Sequence, residues 1–203
     1  MKLNALEKLT MNNPVRAALQ RRYEAGLLER LGGRLDGGHV LEVGCGRGVG
    51  IGIVLDRFGA HRVDGFDIDP DMVERAQRRW GADPRVRLWT GDATRIEAAD
   101  GAYDAVFDFG IVHHVPAWRE AITEVARVLK PGGPFYFEEV TRHALDRWTY
   151  RTLFEHPEHD RFSGEELVAE LECHGLHVGD RHVDRFFGDF VLGVATKTEE
   201  TRP

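Results

Sequence analysis

The side chains best suited to proton transfer lie at or just past the ends of two predicted strands. His113 and His114 follow one strand, and Glu139 lies near the end of the next. Histidine titrates close to neutral pH, which suits a general base. Glu138 and Glu139 are adjacent in a strand and so point to opposite faces, and we assign Glu139 to the site. These three residues, His113, His114 and Glu139, are the candidate bases for a reaction in which an acceptor loses a proton.

A glycine-rich turn between a strand and a helix offers a second kind of chemistry. Residues 39–50 read His-Val-Leu-Glu-Val-Gly-Cys-Gly-Arg-Gly-Val-Gly. An apolar run ends at Gly44, and the next apolar residues keep the spacing of one helix face: Ile51, Val54, Leu55 and Phe58. Glycine lets the backbone adopt positive φ and approach a ligand, and a helix start offers unpaired N–H groups. The turn therefore predicts a nucleotide-like cofactor.

The positions of the glycines disfavour two common nucleotide motifs. A dinucleotide-binding fingerprint needs glycine three residues after Gly46, where the chain has Val49, and a P-loop needs a Gly-Lys-Ser/Thr sequence that is absent. Asp67 follows Gly46 by about 20 residues, the spacing at which an acid on the second strand of a nucleotide-binding unit meets ribose hydroxyls. Asp69 precedes Pro70 and is predicted to cap the next helix.

The glycine turn resembles motif I of the class I S-adenosylmethionine (SAM) dependent methyltransferases, in which Glu-Val-Gly-Cys-Gly-x-Gly is a common form. The segment 103–106, Tyr-Asp-Ala-Val, is similar to the family's Phe-Asp-x-Val, with His-His-Val further on. The segment 129–133, Leu-Lys-Pro-Gly-Gly, resembles the family's stop before its fifth strand. The resemblance covers roughly residues 36 to 197. It is nearest to the quinone-biosynthesis and natural-product methyltransferases, and it implies SAM as the cofactor.

The resemblance also implies roles for individual residues. Asp92, in a Gly-Asp-Ala segment after the third predicted strand, matches the acid that accepts a hydrogen bond from the adenine amino group. The family's histidine pair is commonly part of the cofactor and helix-packing framework, which is the alternative to a base at His113 and His114. The implied cofactor-binding residues are Glu42, Gly44, Cys45, Gly46, Asp67, Ile68, Asp92, Ala93 and Asp108.

Two segments flank the cleft that the resemblance implies. Pro14 begins a predicted helix that runs to about Leu31, with Leu19 and Tyr23 on its apolar face. In the resembling family such a helix often covers the cofactor, so residues 1–35 are assigned as an N-terminal helical lid. The alternative is a helix that packs only on the edge of the sheet. Residues 36–203 form the SAM-binding domain, with an insertion at about 141–162 above the cleft. Substrate contacts are assigned to Tyr23, Arg142, Trp148 and Tyr150.

Strands and helices alternate along the chain, which predicts an α/β fold. Five alternations in a row indicate a parallel, doubly wound sheet whose ligand lies at the carboxyl ends of the strands. A capping box at 163–166 opens the last helix, and two final strands, about 177–186 and 190–196, fit the family's closing antiparallel hairpin. The predicted fold is Rossmann-like, with a seven-stranded, mostly parallel sheet and an antiparallel last strand.

The composition favours one globular domain with no general affinity for nucleic acid. The chain has 203 residues, of which 42% are hydrophobic, and its net charge of −7 disfavours a nucleic-acid partner. Cys45 and Cys173 make no disulfide framework, which points to a reducing compartment. No apolar run approaches the roughly 20 residues of a membrane span. We expect a cytoplasmic monomer or homodimer without a metal site, since the histidines lack ligand spacing.

Methyl transfer from SAM is an in-line displacement, and its chemistry leaves the acceptor open. Alignment of the reactants contributes up to about 7–11 kcal/mol, and a base is needed only when the acceptor must lose a proton. The segment 108–111, Asp-Phe-Gly-Ile, differs from the Asn/Asp-Pro-Pro-Tyr/Phe of nucleic-acid amino methyltransferases. We predict methylation of a small-molecule oxygen, nitrogen, sulfur or carbon. The alternatives are a SAM- or S-adenosylhomocysteine-binding protein without catalysis, and an RNA or protein methyltransferase.

Overall fold

Eight strands form one sheet in the part of the chain that the structure, a computed structural model, describes: residues 14–146 and 160–199. The order along the sheet is β3-β2-β1-β4-β5-β8-β6, and β7 also pairs with β8. The strands are β1 His39–Val43, β2 Arg62–Asp67, β3 Val86–Thr90, β4 Ala105–Phe109, β5 Pro134–Val140, β6 Leu176–His177, β7 His182–Arg185 and β8 Phe190–Lys197. Strands β1 to β5 are parallel, and β8 runs antiparallel to β5. The predicted fold class is confirmed.

The closing hairpin differs in one detail from the prediction. The expected strand at 177–186 is split into β6 and β7, which pair with opposite ends of β8. Gly179 adopts a positive φ of 54° between them, and the Arg181 amide donates to the Val178 carbonyl over 3.2 Å. This turn interrupts the edge strand, so that β8 has two short partners in place of one long one.

Helices cover both faces of the sheet. They are α1, made of Pro14–Leu19, the π-helical turn Gln20–Glu24 and Ala25–Gly32; α2, made of Val49–Ile53 and the π-helical turn Val54–Phe58; α3 Pro70–Trp80; α4 Trp118–Val128; α5 Arg142–Leu145; and α6 Gly164–Cys173, with a 3₁₀ turn at Val112–His114. As predicted, Asp69 caps α3 and a capping box opens α6. The helices α1, α2 and α3 pack on one apolar core, and α4 and α6 pack on the other.

The apolar face predicted for α1 is wrong in its middle. Leu19 and Tyr23 are 49% and 45% exposed, whereas Ala25 and Leu28 are fully buried. The π-helical turn Gln20–Glu24 inserts an extra residue into the helix, so positions before and after it no longer share one face. The regular spacing assumed from the sequence therefore fails across this turn.

The connection between β3 and β4 also departs from the predicted alternation. Residues 91–104 contain turns and an isolated bridge between Asp92 and Arg95, with no helix among them. The Arg127 guanidinium donates to the carbonyls of Ile96 and Ala98, at 2.9 and 2.8 Å. A side chain of α4 thus satisfies the backbone acceptors of this loop, which makes an extended path stable without helical hydrogen bonds.

Candidate cofactor-binding and active site

A cleft opens at the carboxyl ends of β1, β2 and β4, where the resemblance places the cofactor. It is bounded by the glycine turn, by the segments that follow β2 and β4, and by one residue of α1. The lining residues are Gln20, Glu42, Gly44, Cys45, Gly46, Arg47, Val49, Gly50, Asp67, Ile68, Asp69, Met72, Phe109, Gly110, Ile111 and His114.

Two glycines of the turn are required for different physical reasons. Gly44 has a φ of 64°, and a Cβ atom there would lie 2.3 Å from the Ile111 side chain. Gly46 has a φ of 51°, and a Cβ atom there would meet nothing within 4 Å. Gly44 therefore permits close packing of two loops, while Gly46 leaves open space in which a ligand can approach the backbone.

Asp67 is held by the backbone on two sides of the cleft. Its carboxylate accepts from the amides of Gly46 and Asp69, each over 2.9 Å. Burial raises the pKa of Asp67, and the two amide donors oppose that rise. Each carboxylate oxygen can accept more than one hydrogen bond, so Asp67 retains capacity for ligand hydroxyls.

Glu42 is the most isolated acid of the cleft. It is 2% exposed, and its Oε2 atom has no hydrogen-bond partner in the described part of the chain. A Cβ atom on Gly50 would lie 2.0 Å from its Oε1 atom, so only glycine at that position leaves room for the carboxylate. Burial, and then the charges of Asp67 and Asp108, raise the pKa of Glu42 well above its ordinary value. A buried carboxylate without a donor fits a ligand that supplies donors or positive charge.

A second group of polar side chains lies behind the cleft, between β4 and β5. Glu139 is fully buried, accepts from the Val112 amide over 2.6 Å and is hydrogen-bonded to the His113 Nδ1 atom over 2.5 Å. Asp108 is 1% exposed, and its Oδ1 atom accepts from the Ile111 amide over 3.0 Å. Burial raises the pKa of Glu139 to about 7 and that of Asp108 well above its usual range. These residues hold the turn that leads to His114.

The structure divides the predicted cofactor and base residues into two sets. The set at the cleft contains Glu42, Gly44, Cys45, Gly46, Asp67, Ile68 and His114. The set that does not line the cleft contains Asp92, Ala93, Asp108, His113 and Glu139. Asp92 is exposed, and its Oδ1 atom accepts from both the amide and the hydroxyl of Thr94 at 2.9 Å. Its side chain therefore stabilises a local turn in this structure.

The predicted substrate residues are less closely grouped. Tyr23 does not line the cleft, where Gln20 is the residue of α1 that does. Arg142 donates to Glu166 over 3.0 Å and lines a separate surface groove with His143 and Phe187. Trp148 and Tyr150 lie outside the described residues.

Several lining residues were missed from the sequence. Phe109, Gly110 and Ile111 follow β4 directly, so the rule that ligands bind at the carboxyl ends of parallel strands could have found them. Met72 lies in the first turn of α3, one strand over from the glycine turn. No sequence pattern indicated that Gln20 lines the cleft, because its position depends on how α1 crosses the sheet.

Comparison with known proteins identifies the family. The sequence profile of a family described as a methyltransferase domain matches residues 40–133. A probable S-adenosylmethionine-dependent methyltransferase of Mycolicibacterium smegmatis is 33% identical over 161 residues, which are 79% of this chain and 60% of that protein. Residues 40–133 therefore form a methyltransferase domain, and these matches support a class I SAM-dependent methyltransferase. The cofactor of this family is SAM, which carries a positive charge on its sulfonium. The cleft fits this group, because the buried Glu42 side chain has no hydrogen-bond donor in the described part of the chain.

Two further comparisons concern the relatives and fold of this methyltransferase. A fatty-acid O-methyltransferase of the same organism is 33% identical over 115 residues, 56% of this chain and 42% of that protein. A crystal structure of a SAM-dependent methyltransferase from Aquifex aeolicus superposes with a TM-score of 0.74 at 23% identity, covering 96% of this chain and 98% of that one. The methyltransferase thus spans 60% or less of both curated relatives.

The described residues contain neither a membrane-spanning helix nor a metal-binding cluster. No helix among them is long and apolar enough to cross a membrane. Within the same residues, no group of three or more His, Cys, Asp and Glu side chains is arranged to hold a metal ion.

Proposed function

We propose that this chain binds SAM in the cleft and transfers its methyl group to a small-molecule acceptor. The observation that carries the proposal is the arrangement around Gly46: an open backbone approach, the Asp67 carboxylate beside it, and the buried Glu42 carboxylate without a donor. When bound, SAM supplies a methyl group made electrophilic by its sulfonium. Glu42 and Asp67 would hold the polar groups of the cofactor, while Gly44 and Gly46 let the backbone contact it.

The acceptor would approach from the side of His114 and Ile111. Both residues line the cleft directly after β4, at the carboxyl ends of the strands, where ligands of open α/β sheets bind. His114 is the candidate base when the acceptor carries a proton, because it is the only one of the three predicted bases that lines the cleft. For an acceptor without a proton to lose, alignment alone supplies the acceleration.

The class of acceptor is proposed from two considerations. The net charge of −7 gives no general attraction for nucleic acid. One relative carries the name fatty-acid O-methyltransferase, which supports a carboxylic acid or another small oxygen nucleophile as acceptor here. A non-catalytic SAM-binding protein and an RNA or protein methyltransferase are the competing functions.

Calorimetric titration tests the cofactor assignment first. We expect micromolar binding of SAM and of S-adenosylhomocysteine, and none of NADH measured in parallel. Binding of NADH, or of neither sulfur compound, contradicts the proposal. A screen of carboxylic acids, phenols, amines and thiols for S-adenosylhomocysteine release then separates an enzyme from a binding protein.

We also propose the setting in which the protein works. Cys45 and Cys173 are both free thiols, which supports the reducing environment of the cytoplasm. Helix α1 reaches the cleft through Gln20, and we propose that residues 1–35 act as the lid of the domain formed by residues 36–203. Sedimentation of the purified chain distinguishes a monomer from a homodimer.

A further inference from the structure

The two ends of α1 are attached to the rest of the domain in different ways. After the π-helical turn, Ala25 and Leu28 are fully buried in an apolar core. Residues 16–23, before and within that turn, are all half-buried or exposed. The later part of the helix is therefore held by apolar burial. The earlier part, which brings Gln20 to the cleft, needs polar contacts to stay in place.

The Arg16 side chain supplies such contacts. Its guanidinium forms an ion pair with Glu138 of β5, with 3.0 Å between Nη2 and Oε1, and a second ion pair with Glu24 in the π-helical turn. The two glutamates are only 3% and 8% exposed. The Arg57 guanidinium adds a hydrogen bond to the Arg21 carbonyl over 3.0 Å. Arg16 thus joins the beginning of the helix to both its π-helical turn and the sheet.

Glu138 lies beside the cleft within the sheet. It is in register with Phe109 of β4, which lines the cleft. Burial and then the charge of Glu24 raise the pKa of Glu138, and the charge of Arg16 opposes that rise. Removing one partner of a buried ion pair leaves the other charge uncompensated, so Glu138 and Arg16 depend on each other.

We propose that Arg16 and Glu138 are positioning residues, whose ion pair holds residues 16–23 against the sheet and so keeps Gln20 at the cleft. Side chains four residues apart lie on one face of a helix, so Arg16 and Gln20 approach the sheet together. When the ion pair breaks, this part of the helix moves away about the π-helical turn and the cleft opens. The inference rests on the proposed function, because it assigns how the lid is held over bound SAM.

Hydrogen–deuterium exchange tests the ion pair without any ligand. In Arg16→Gln, the amides of residues 17–24 should exchange roughly tenfold faster, while those of residues 26–32 keep their wild-type rates. Arg16→Lys keeps the charge and should recover part of the protection. Arg22→Gln is the matched control, because Arg22 is an exposed arginine of the same helix. Unchanged exchange at residues 17–24 in Arg16→Gln, or equally faster exchange in both segments, overturns the proposal.

Substitution of the partner on the sheet should have the same local effect. Glu138→Gln keeps the size of the side chain and removes its charge, so residues 17–24 should again exchange faster than in the wild type. In the double variant with Arg16→Gln, the loss of protection should be smaller than the sum of the two single losses, because both substitutions break one contact. Fully additive losses would show that the two residues act independently and would overturn the proposal.

Calorimetric titration with SAM measures the effect on the cleft. Arg16→Gln should bind SAM roughly tenfold more weakly, the loss expected when the arrangement with Gln20 at the cleft falls to about a tenth of the molecules. Arg22→Gln should keep the wild-type affinity. Faster exchange at residues 17–24 with unchanged SAM affinity would show that the ion pair does not act on the cofactor, and would overturn the inference. If the wild-type chain does not bind SAM, the proposed function fails, while the exchange measurement still decides whether the ion pair holds the helix.

Discussion

Two pairs of acids at the strand ends of this domain are used in opposite ways. Glu42 and Asp67 line the cleft, and their carboxylate oxygens can still accept hydrogen bonds from a ligand. Asp108 and Glu139 do not line the cleft, their carboxyls accept from backbone amides, and Glu139 is also hydrogen-bonded to the His113 ring. Burial raises the pKa of all four, so burial alone does not mark a ligand contact. What separates the pairs is whether the carboxyl group lines the cleft, where a ligand can reach it.

The largest expected effect comes from closing the cleft at Gly46 while all four acids are kept. Gly46→Val places a side chain in the open space and strains a positive φ, so SAM binding should become undetectable by calorimetry. Gly101→Val is the control, because Gly101 has a similar φ of 60° and no atom closer than 3.9 Å, but does not line the cleft. Both variants should lose similar stability. Retained SAM binding in Gly46→Val would show that the turn has been misassigned.

Removing one acid of the cleft should reduce binding rather than abolish it. Asp67→Ala is expected to weaken SAM binding by about 1.5–3 kcal/mol, the range for hydrogen bonds to a charged group, or roughly 10- to 150-fold. The exposed Asp71, four residues further along the chain, provides the control variant Asp71→Ala. Calorimetry with SAM compares the two. If the two variants bind SAM with equal affinity, Asp67 does not contact the ligand.

The isolation of Glu42 predicts a dependence of stability on pH. Its folded-state pKa lies well above the ordinary value of a glutamate side chain, so the stability it contributes is present below about pH 4.5 and lost as pH rises through the raised pKa. The side chain of the Glu42→Gln variant cannot ionise. Its free energy of unfolding should therefore increase relative to that of the wild type between about pH 4 and pH 8. Urea unfolding of both chains without SAM measures this difference. A difference that stays constant with pH would mean that Glu42 has an internal partner after all.

The smallest effect on binding is expected at Asp92. Its carboxylate holds Thr94, so Asp92→Ala should cost about 1 kcal/mol of stability through the lost turn and change SAM affinity less than about threefold. Thr94→Ala is the matched variant, since it removes the hydroxyl that donates to Asp92 and leaves the backbone amide donor and the carboxylate in place. A loss of SAM affinity in Asp92→Ala but not in Thr94→Ala would support the adenine contact that the family resemblance implies.

The local patterns were read correctly where a few neighbouring residues decide the outcome. The strand, glycine turn and helix at 39–58, the cap at Asp69 and the capping box at 163–166 were all predicted, because their signals are contacts between residues close in sequence. The buried face of α1 was not predicted correctly, because the π-helical turn Gln20–Glu24 rotates the residues after it about the helix axis. The helix expected between β3 and β4 was replaced by a loop tied to Arg127, a partner about 30 residues away.

The sequence by itself determined the parallel sheet and the glycine turn with Asp67 beside it, because these follow from periodicity and spacing along the βαβ units. The family was predicted from the resemblance of its motifs. Tertiary structure alone decided which polar residues meet the cleft. His113 and His114 are adjacent, yet only His114 lines it, and Glu139 turns to the backbone of a neighbouring turn. Whether a carboxylate can still accept hydrogen bonds from a ligand depends on donors that distant segments bring next to it. The spacing of residues along the chain does not predict those donors.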